Sequence, residues 1–263
     1  MGIVIKRGYV SLAHGQVHYR EAGTRGAPTV LWLHQSPSSS EMYEALIREL
    51  GDGYHHLAPD TPGFGQSDSL PAFTISKFGN IMAEFLEAMN ISHAHVFGHH
   101  TGASVAVALA AQNPEMVSKL ALGGPPMLTE ALRKTLPSLA SNEGLKPNGS
   151  HLAALWAKIR AKEPDVSLEI SQREVLFSSR AMGINQAVYQ AVADHDFGAD
   201  IRSVEKPVFV FAGDRDPLYG CLDAAFAALQ DGKTSVIEGA SSYICESHTS
   251  IVAAKLIDFF GES

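Results

Sequence analysis

Two hydrophobic rhythms alternate along this chain. One is a set of short, continuous apolar runs: Thr29–Leu33, His56–Asp60, Ala94–Gly98, Val117–Leu122, Val208–Ala212 and Thr234–Ile237. Runs of this length, bounded by Gly, Pro, Ser or Asp, read as strands, and those with no polar alternation read as strands buried on both faces. The other rhythm has the helical period. Ile75–Met89 carries Phe78, Ile81, Met82, Phe85, Leu86 and Met89 at helical spacing, and Met42–Leu50, Leu222–Leu229 and Ile251–Phe260 also fit helices. Near the start, Tyr9–Leu12 and Gln16–Arg20 alternate around His14-Gly15 and predict an antiparallel hairpin at a sheet edge, with His14 and His18 exposed. Strands alternating with helices predict a mostly parallel sheet covered on both faces.

The rhythm changes at residue 125. Up to about residue 200 no strand pattern occurs, and Pro137, Gly144, Pro147, Gly149 and Pro164 break the segment. Leu152–Lys162 and Ile184–Asp194 are its clearest helical stretches. The expected organisation is a core of residues 1–124 and 201–263 with a helical cap or lid at 125–200. Trp156, Phe177, Met182 and Tyr189 of the cap are candidates to line a pocket or, equally, to pack the cap onto the core.

The stretch Ala94-His95-Val96-Phe97-Gly98-His99-His100-Thr101-Gly102-Ala103-Ser104 reads as strand, sharp turn and helix. The two glycines leave room where a Cβ would strike a neighbouring strand or helix. The residue between them is thrust to the tip of the turn, beside the N–H groups of the helix start. This stretch resembles the nucleophile elbow, G-x-S-x-G, of the α/β-hydrolase superfamily. Asp60-Thr61-Pro62-Gly63-Phe64-Gly65-Gln66-Ser67-Asp68 resembles that superfamily's D-x-P-G-x-G-x-S-D loop, where Asp60 and Asp68 are expected to brace the turn. The resemblance implies the α/β-hydrolase fold, a lid between the two halves of the core, and a pocket at the carboxyl ends of the strands. It also implies half an oxyanion hole after the first central strand, at His34-Gln35.

Two positions depart from the superfamily pattern. His100 stands where the nucleophile is expected. In Glu238-Gly239-Ala240-Ser241-Ser242-Tyr243-Ile244-Cys245-Glu246, Ser242 stands where the base histidine is expected. The acid has its counterpart in Asp216, within Gly213-Asp214-Arg215-Asp216-Pro217, whereas His248 lies too far along to replace the base. An elbow imidazole is a usable base or nucleophile near neutral pH. His100, Asp216 and Ser242 are therefore the candidate catalytic groups. His34, Gln35, Thr101 and His99 are the candidates for oxyanion or substrate binding, with Gln35 and Thr101 offering backbone N–H groups. The expected activity is hydrolysis of a small organic carbonyl compound: an ester, a lactone or a C–C bond. The alternatives are a non-hydrolytic base catalyst (lyase, isomerase or cofactor-free oxygenase), a serine mechanism with Ser242 and His100 exchanged, and a small-molecule binder. A zinc site built from His34, His99, His100 and His248 lacks a short-spacing ligand pair, so no metal and no cofactor is expected.

Composition narrows the field further. A formal charge of −8 with no basic run argues against nucleic acid as a partner. No apolar stretch reaches the ~18 residues of a membrane span. Cys221 and Cys245 show no paired spacing, and Met1–Arg7 lacks the apolar run of a secretory leader. Free thiols in a cytoplasmic protein, monomeric or homo-oligomeric and acting on a small molecule, are expected.

Overall fold

The apolar runs assemble into one eight-stranded sheet in a computed structural model that describes residues 2–140 and 144–262. The strands are β1 (Lys6–Leu12), β2 (Gly15–Gly23), β3 (Thr29–Leu33), β4 (His55–Pro59), β5 (Ala94–His99), β6 (Val117–Gly123), β7 (Val208–Gly213) and β8 (Gly232–Ile237). Their order is β1-β2-β4-β3-β5-β6-β7-β8. The hairpin β1–β2 and the β2–β4 pair are antiparallel, and every pair from β4 to β8 is parallel. β3, β4 and β7 are buried at every residue, as their unbroken apolar character requires, whereas the edge strand β8 is half exposed.

Helices α1 (Glu44–Leu50), α2 (Ile75–Ala88) and α3 (Thr101–Gln112) follow β3, β4 and β5 in turn. Between β6 and β7 lie α4 (Glu130–Leu139), α5 (Ser150–Lys162), α6 (Leu168–Arg180), α7 (Asn185–Asp194) and α8 (Phe197–Ser203). Helix α9 (Leu222–Ala227) precedes β8, and α10 (Ile244–Ser247) and α11 (Thr249–Gly261) close the chain. Apolar side chains of α2, α3 and α8 pack one face of the sheet, around Leu31, Val96, Leu120 and Val210. Those of α1 and α11 pack the other, around Trp32, Phe97, Ala121 and Phe211. A small separate cluster, Leu155, Ile159 and Val175 with Met182 against it, joins α5 to α6. Among the described residues the segment expected as a cap carries helices joined by loops and no strand, residues 141–143 lying outside the described residues. Pro137 sits within α4 rather than ending it, because α4 buries no residue and water can serve the carbonyl the proline leaves unpaired.

His18 is a correction to the sequence reading. It is buried, and its Nδ1 lies 2.8 Å from Asp60 Oδ2. Period-two alternation placed it outward, but the β4–α2 loop folds back over that face of β2. His18 N–H donates to Ser67 Oγ and Gln16 N–H to Asp68 Oδ2, each a long-range tie. Asp60 also accepts from Ser40 N–H (2.8 Å), Ser40 Oγ (2.6 Å) and Gln66 N–H (2.9 Å). Burial by itself would raise the Asp60 carboxyl. The His18 bond, the nearby His34 and the two Ser40 donors outweigh it and hold the group down to about 2.

That depression fixes a pH window. A carboxyl lowered in the folded state stabilises fully above its unfolded value of 3.8, and the benefit is lost as pH falls towards about 2. At 1.36 kcal/mol per unit, Asp60 contributes about 2 kcal/mol. Urea denaturation at pH 5 and pH 2 tests this. The stability gap between wild type and Asp60→Asn should shrink by about that amount at the lower pH, and a constant gap would show that Asp60 is not responsible.

Candidate active site

The elbow is built on backbone contacts with no spare volume. A Cβ at Gly98 would lie 2.3 Å from the Gly102 carbonyl oxygen, and one at Gly102 would lie 1.9 Å from that of Leu33. Between them His100 takes φ 49° and ψ −111°, a left-handed backbone for a non-glycine residue. Such a conformation costs on the order of 1–3 kcal/mol and persists only where the surroundings enforce it. Here the enforcement is visible. His100 N–H donates to Gly123 O (2.9 Å), while His100 O accepts from Ala103 N–H (2.9 Å) and Ser104 N–H (3.3 Å) at the start of α3. Gly124 leaves room for the ring, since a Cβ there would meet His100 Cδ2 at 2.3 Å.

The His100 ring points at Asp216, which follows β7. Nε2 lies 2.8 Å from Oδ2 and 3.0 Å from Oδ1. Leu218 N–H donates to Asp216 Oδ1 at 2.7 Å. Burial opposes the charge on Asp216, but the His100 ring at hydrogen-bond distance and the Leu218 N–H hold the carboxyl well below the ordinary range. An ionised carboxylate only accepts, so His100 Nε2 carries the proton. In the neutral ring Nδ1 is then the lone-pair nitrogen, and it has no hydrogen-bond partner among the described residues.

The other candidates separate clearly. His34 is buried with both nitrogens engaged: Nδ1–H donates to Gln35 O, and Nε2 accepts from Thr61 N–H, each at 2.8 Å. Burial lowers its pKa, consistent with a neutral strut between the β3 and β4 loops. It has no nitrogen left for a substrate. Gln35 and Thr101 are nearly buried, and their N–H groups have no partner among the described residues. His99 is wholly buried, with neither nitrogen bonded, and its ring stacks on His100 at 4.2 Å between centroids. Burial, and then His100, push its pKa far down. Ser242 is wholly buried and its Oγ has no partner, so the His100–Ser242 hydrogen bond that an exchanged triad needs is absent. His248 caps α11 and bonds to Ser247 Oγ, not to the elbow.

His99, His100 and Asp216 place three potential metal-ligand atoms within 4.8 Å of one another. The geometry suits hydrogen bonding better than coordination. His100 Nε2 is taken by Asp216, and two rings stacked at 4.2 Å with a tilt of 26° have in-plane lone pairs that do not meet within the ~2.0–2.2 Å of a metal bond.

The sequence reading missed the side chains that tie the segment between β6 and β7 to this corner. Glu163, just past α5, accepts from Ser242 N–H (3.0 Å) and from Ser241 Oγ. On α6, Glu174 accepts from Ser38 Oγ (2.8 Å), and Arg173 bridges Glu174 (2.6 Å) and Glu246 (3.0 Å). Glu163 and Glu174 are both buried. No local pattern marks them, because each is completed by residues far away in sequence. Of the predicted lining residues, Phe177 borders a cleft of about 630 Å³ together with Glu41, Gln66, Arg173, Leu176 and Arg180. Tyr189 Oη donates to Ser36 O at 3.4 Å, Met182 packs against the Leu155–Ile159–Val175 cluster, and Trp156 is exposed.

A parallel sheet of this order with an elbow after β5 defines an α/β-hydrolase, and comparison with known proteins agrees. Residues 28–221 match the family model described as alpha/beta hydrolase fold, and the chain belongs to that family of enzymes. The chain is 26% identical to a 2-(acetamidomethylene)succinate hydrolase of Mesorhizobium japonicum, over 95% of this chain and 93% of that protein. It is 34% identical to a haloalkane dehalogenase of Psychrobacter cryohalolentis, a match that spans 41% of this chain and 37% of that protein. Among solved structures, wild-type Cfl2 from Burkholderia cenocepacia superposes with a TM-score of 0.83 at 22% identity, covering 99% of this chain and 96% of that one. Among the described residues, no helix is long and apolar enough to cross a membrane.

The tautomer is directly measurable. In ¹⁵N-edited spectra taken where the ring is neutral, His100 should carry its proton on Nε2. The reverse assignment would mean that Asp216 does not hold the ring.

Proposed function

We propose that this chain hydrolyses a small organic carbonyl compound with His100 as its base, and the direct Asp216–His100 hydrogen bond carries the reading. Nδ1 of His100 takes a proton from a water molecule as that water attacks the carbonyl carbon. Nε2–H stays with Asp216, whose charge balances the imidazolium that forms. The N–H groups of Gln35 and Thr101 receive the developing oxyanion. The imidazolium then returns its proton to the leaving group. Ser242, wholly buried with its Oγ unpartnered, takes no part as nucleophile. The hydrolase relatives support bond cleavage by water.

A second reading shares the base. The imidazole stands on the elbow itself and so meets the substrate directly, which also suits removal of a proton from carbon, as in a lyase, an isomerase or a cofactor-free oxygenase. The helices within residues 125–200 act in either case as a lid that sets substrate shape.

A panel of small esters, lactones and β-dicarbonyl compounds tests both. General-base catalysis contributes typically 10²–10⁴-fold, so His100→Ala should lower kcat/KM by that factor. Asp216→Asn should lose at least 10²-fold, since an amide can donate to Nε2 and turn the tautomer over. Ser242→Ala should lose about tenfold or less, and a fluorophosphonate should leave Ser242 unlabelled. Labelling of Ser242 that disappears in His100→Ala would instead establish the exchanged triad. Full activity in His100→Ala would place the chemistry at another site, and no activity of the wild type on any substrate of the panel would leave a binding protein.

A further inference from the structure

Helix α7 is seated on the loop that carries the Gln35 N–H. A Cβ at Gly102 would lie 1.9 Å from Leu33 O and 2.9 Å from His34 O, so the end of β3 is in backbone contact with the elbow. Two residues beyond His34, Ser36 O accepts from Tyr189 Oη of α7. On the other side, a Cβ at Gly63 would lie 2.5 Å from Ile184 Cδ1. Ile184 immediately precedes α7, and Gly63 shares its loop with Thr61, whose N–H is bonded to His34. The first turns of α7 thus meet the loops that follow β3 and β4, with Tyr189 on the residue next to Gln35.

The polar groups along this seam are short of partners. Tyr189 Oη stands 3.4 Å from Ser36 O, beyond the roughly 2.5–3.0 Å usual for a hydroxyl donor. Ser36 is 8% exposed, and its Oγ has no partner among the described residues. Asn185 is 3% exposed, and its Oδ1 has none either. Asn185 stands one turn before Tyr189, at i and i+4, so the two share a face of α7. Buried polar atoms are unfavourable when unpaired, and a group of them beside a reaction site calls for a partner from outside. Burial pushes the Tyr189 phenol up to about 12, so it stays a neutral donor through the neutral range.

We propose that Tyr189, Asn185 and Ser36 form a subsite for a hydroxyl group, and that the substrate is a carbonyl compound bearing that hydroxyl on its α- or β-carbon. The match is one of donors and acceptors. A hydroxyl can donate to Asn185 Oδ1 while it accepts from the Tyr189 phenol or the Ser36 hydroxyl. A ketone only accepts and would leave Asn185 Oδ1 unpaired. A carboxylate is disfavoured by the charge of Glu174, which acts on Tyr189, while Arg173 is already engaged by Glu174 and Glu246. Adjacent residues stand ~3.8 Å apart, so Gln35 and Ser36 hold the carbonyl oxygen and the hydroxyl at adjoining positions. The carbonyl end rests on the His100 reading, but the hydroxyl preference is measurable without turnover.

Chemical-shift titration of the ¹⁵N-labelled protein with 3-hydroxybutanamide, and with butanamide as its control, tests the subsite. Wild type should bind the hydroxy amide about fivefold more tightly, as one net hydrogen bond allows. Tyr189→Phe removes only the phenol oxygen. It should abolish the preference and leave butanamide affinity unchanged, which a packing role would not do. Ser36→Ala should weaken the preference, and His100→Ala should leave it intact. No binding of either amide, or equal binding of both by wild type, would mean that these groups serve water alone and overturns the proposal. So does a preference that survives Tyr189→Phe, or a loss of butanamide affinity in that variant. A Tyr189-dependent preference in a protein that keeps full activity in His100→Ala would count against the His100 base alone.

Discussion

A methyl group on Gly102 would sit 1.9 Å from the carbonyl oxygen at the end of β3, and one on Gly98 would sit 2.3 Å from the backbone of α3. Strand, turn and helix are therefore in backbone contact, and the only direction open to the residue between the glycines is outward, above the sheet. His100 pays for that position with a left-handed φ, which the Gly123 carbonyl and the first turn of α3 keep in place. Position, not residue type, is what the elbow dictates. Whatever side chain stands at 100 is delivered to the carboxyl ends of the strands, next to the N–H of Thr101 and across from the loop that bears Gln35.

This explains how the site keeps an oriented imidazole although the loop after β8 lacks one. In a Ser-His-Asp arrangement the carboxylate orients a histidine that stands between it and the nucleophile. With histidine on the elbow, the ring itself spans the distance to Asp216, and the carboxylate contacts the elbow residue at 2.8 Å. One link has dropped out of the chain of groups. Gly124 makes this possible, because any larger residue would occupy the space of the ring. The stacked, unbonded His99 beneath it is neutral, so it supports His100 by packing without adding a competing charge.

The sequence made the fold legible because the signals that carry it are local. Continuous apolar runs become the buried strands β3, β4 and β7, and the glycines at 98 and 102 mark the elbow. The pairing of His100 with Asp216 was legible for a different reason: two fixed points of the fold, the ends of β5 and β7, set their separation. His18 misled because its environment comes from residues 60–68, and alternation within one strand cannot report what another loop lays over it. His34 misled in role, since its two hydrogen bonds to backbone groups are invisible to any motif. Glu163, Arg173 and Glu174 were out of reach because their meaning arises where a helical segment without a signature meets loops more than 60 residues away.

The seam between that segment and the core is also physically different from the core itself. The sheet is held by two large apolar clusters, but α5 and α6 share a small one, and they meet the β3 and β8 loops through buried charge. Burying Glu163, Glu174 and Glu246 is unfavourable unless every lone pair finds a donor. Ser38, Ser241, the Ser242 N–H and the Arg173 guanidinium supply those donors. Burial still raises the Glu246 carboxyl despite Arg173, so desolvation is not wholly offset there. A seam of this kind is directional where an apolar one is not. Hydrogen bonds fix the register of α5 and α6 against the loops, which apolar packing alone would leave free to slide.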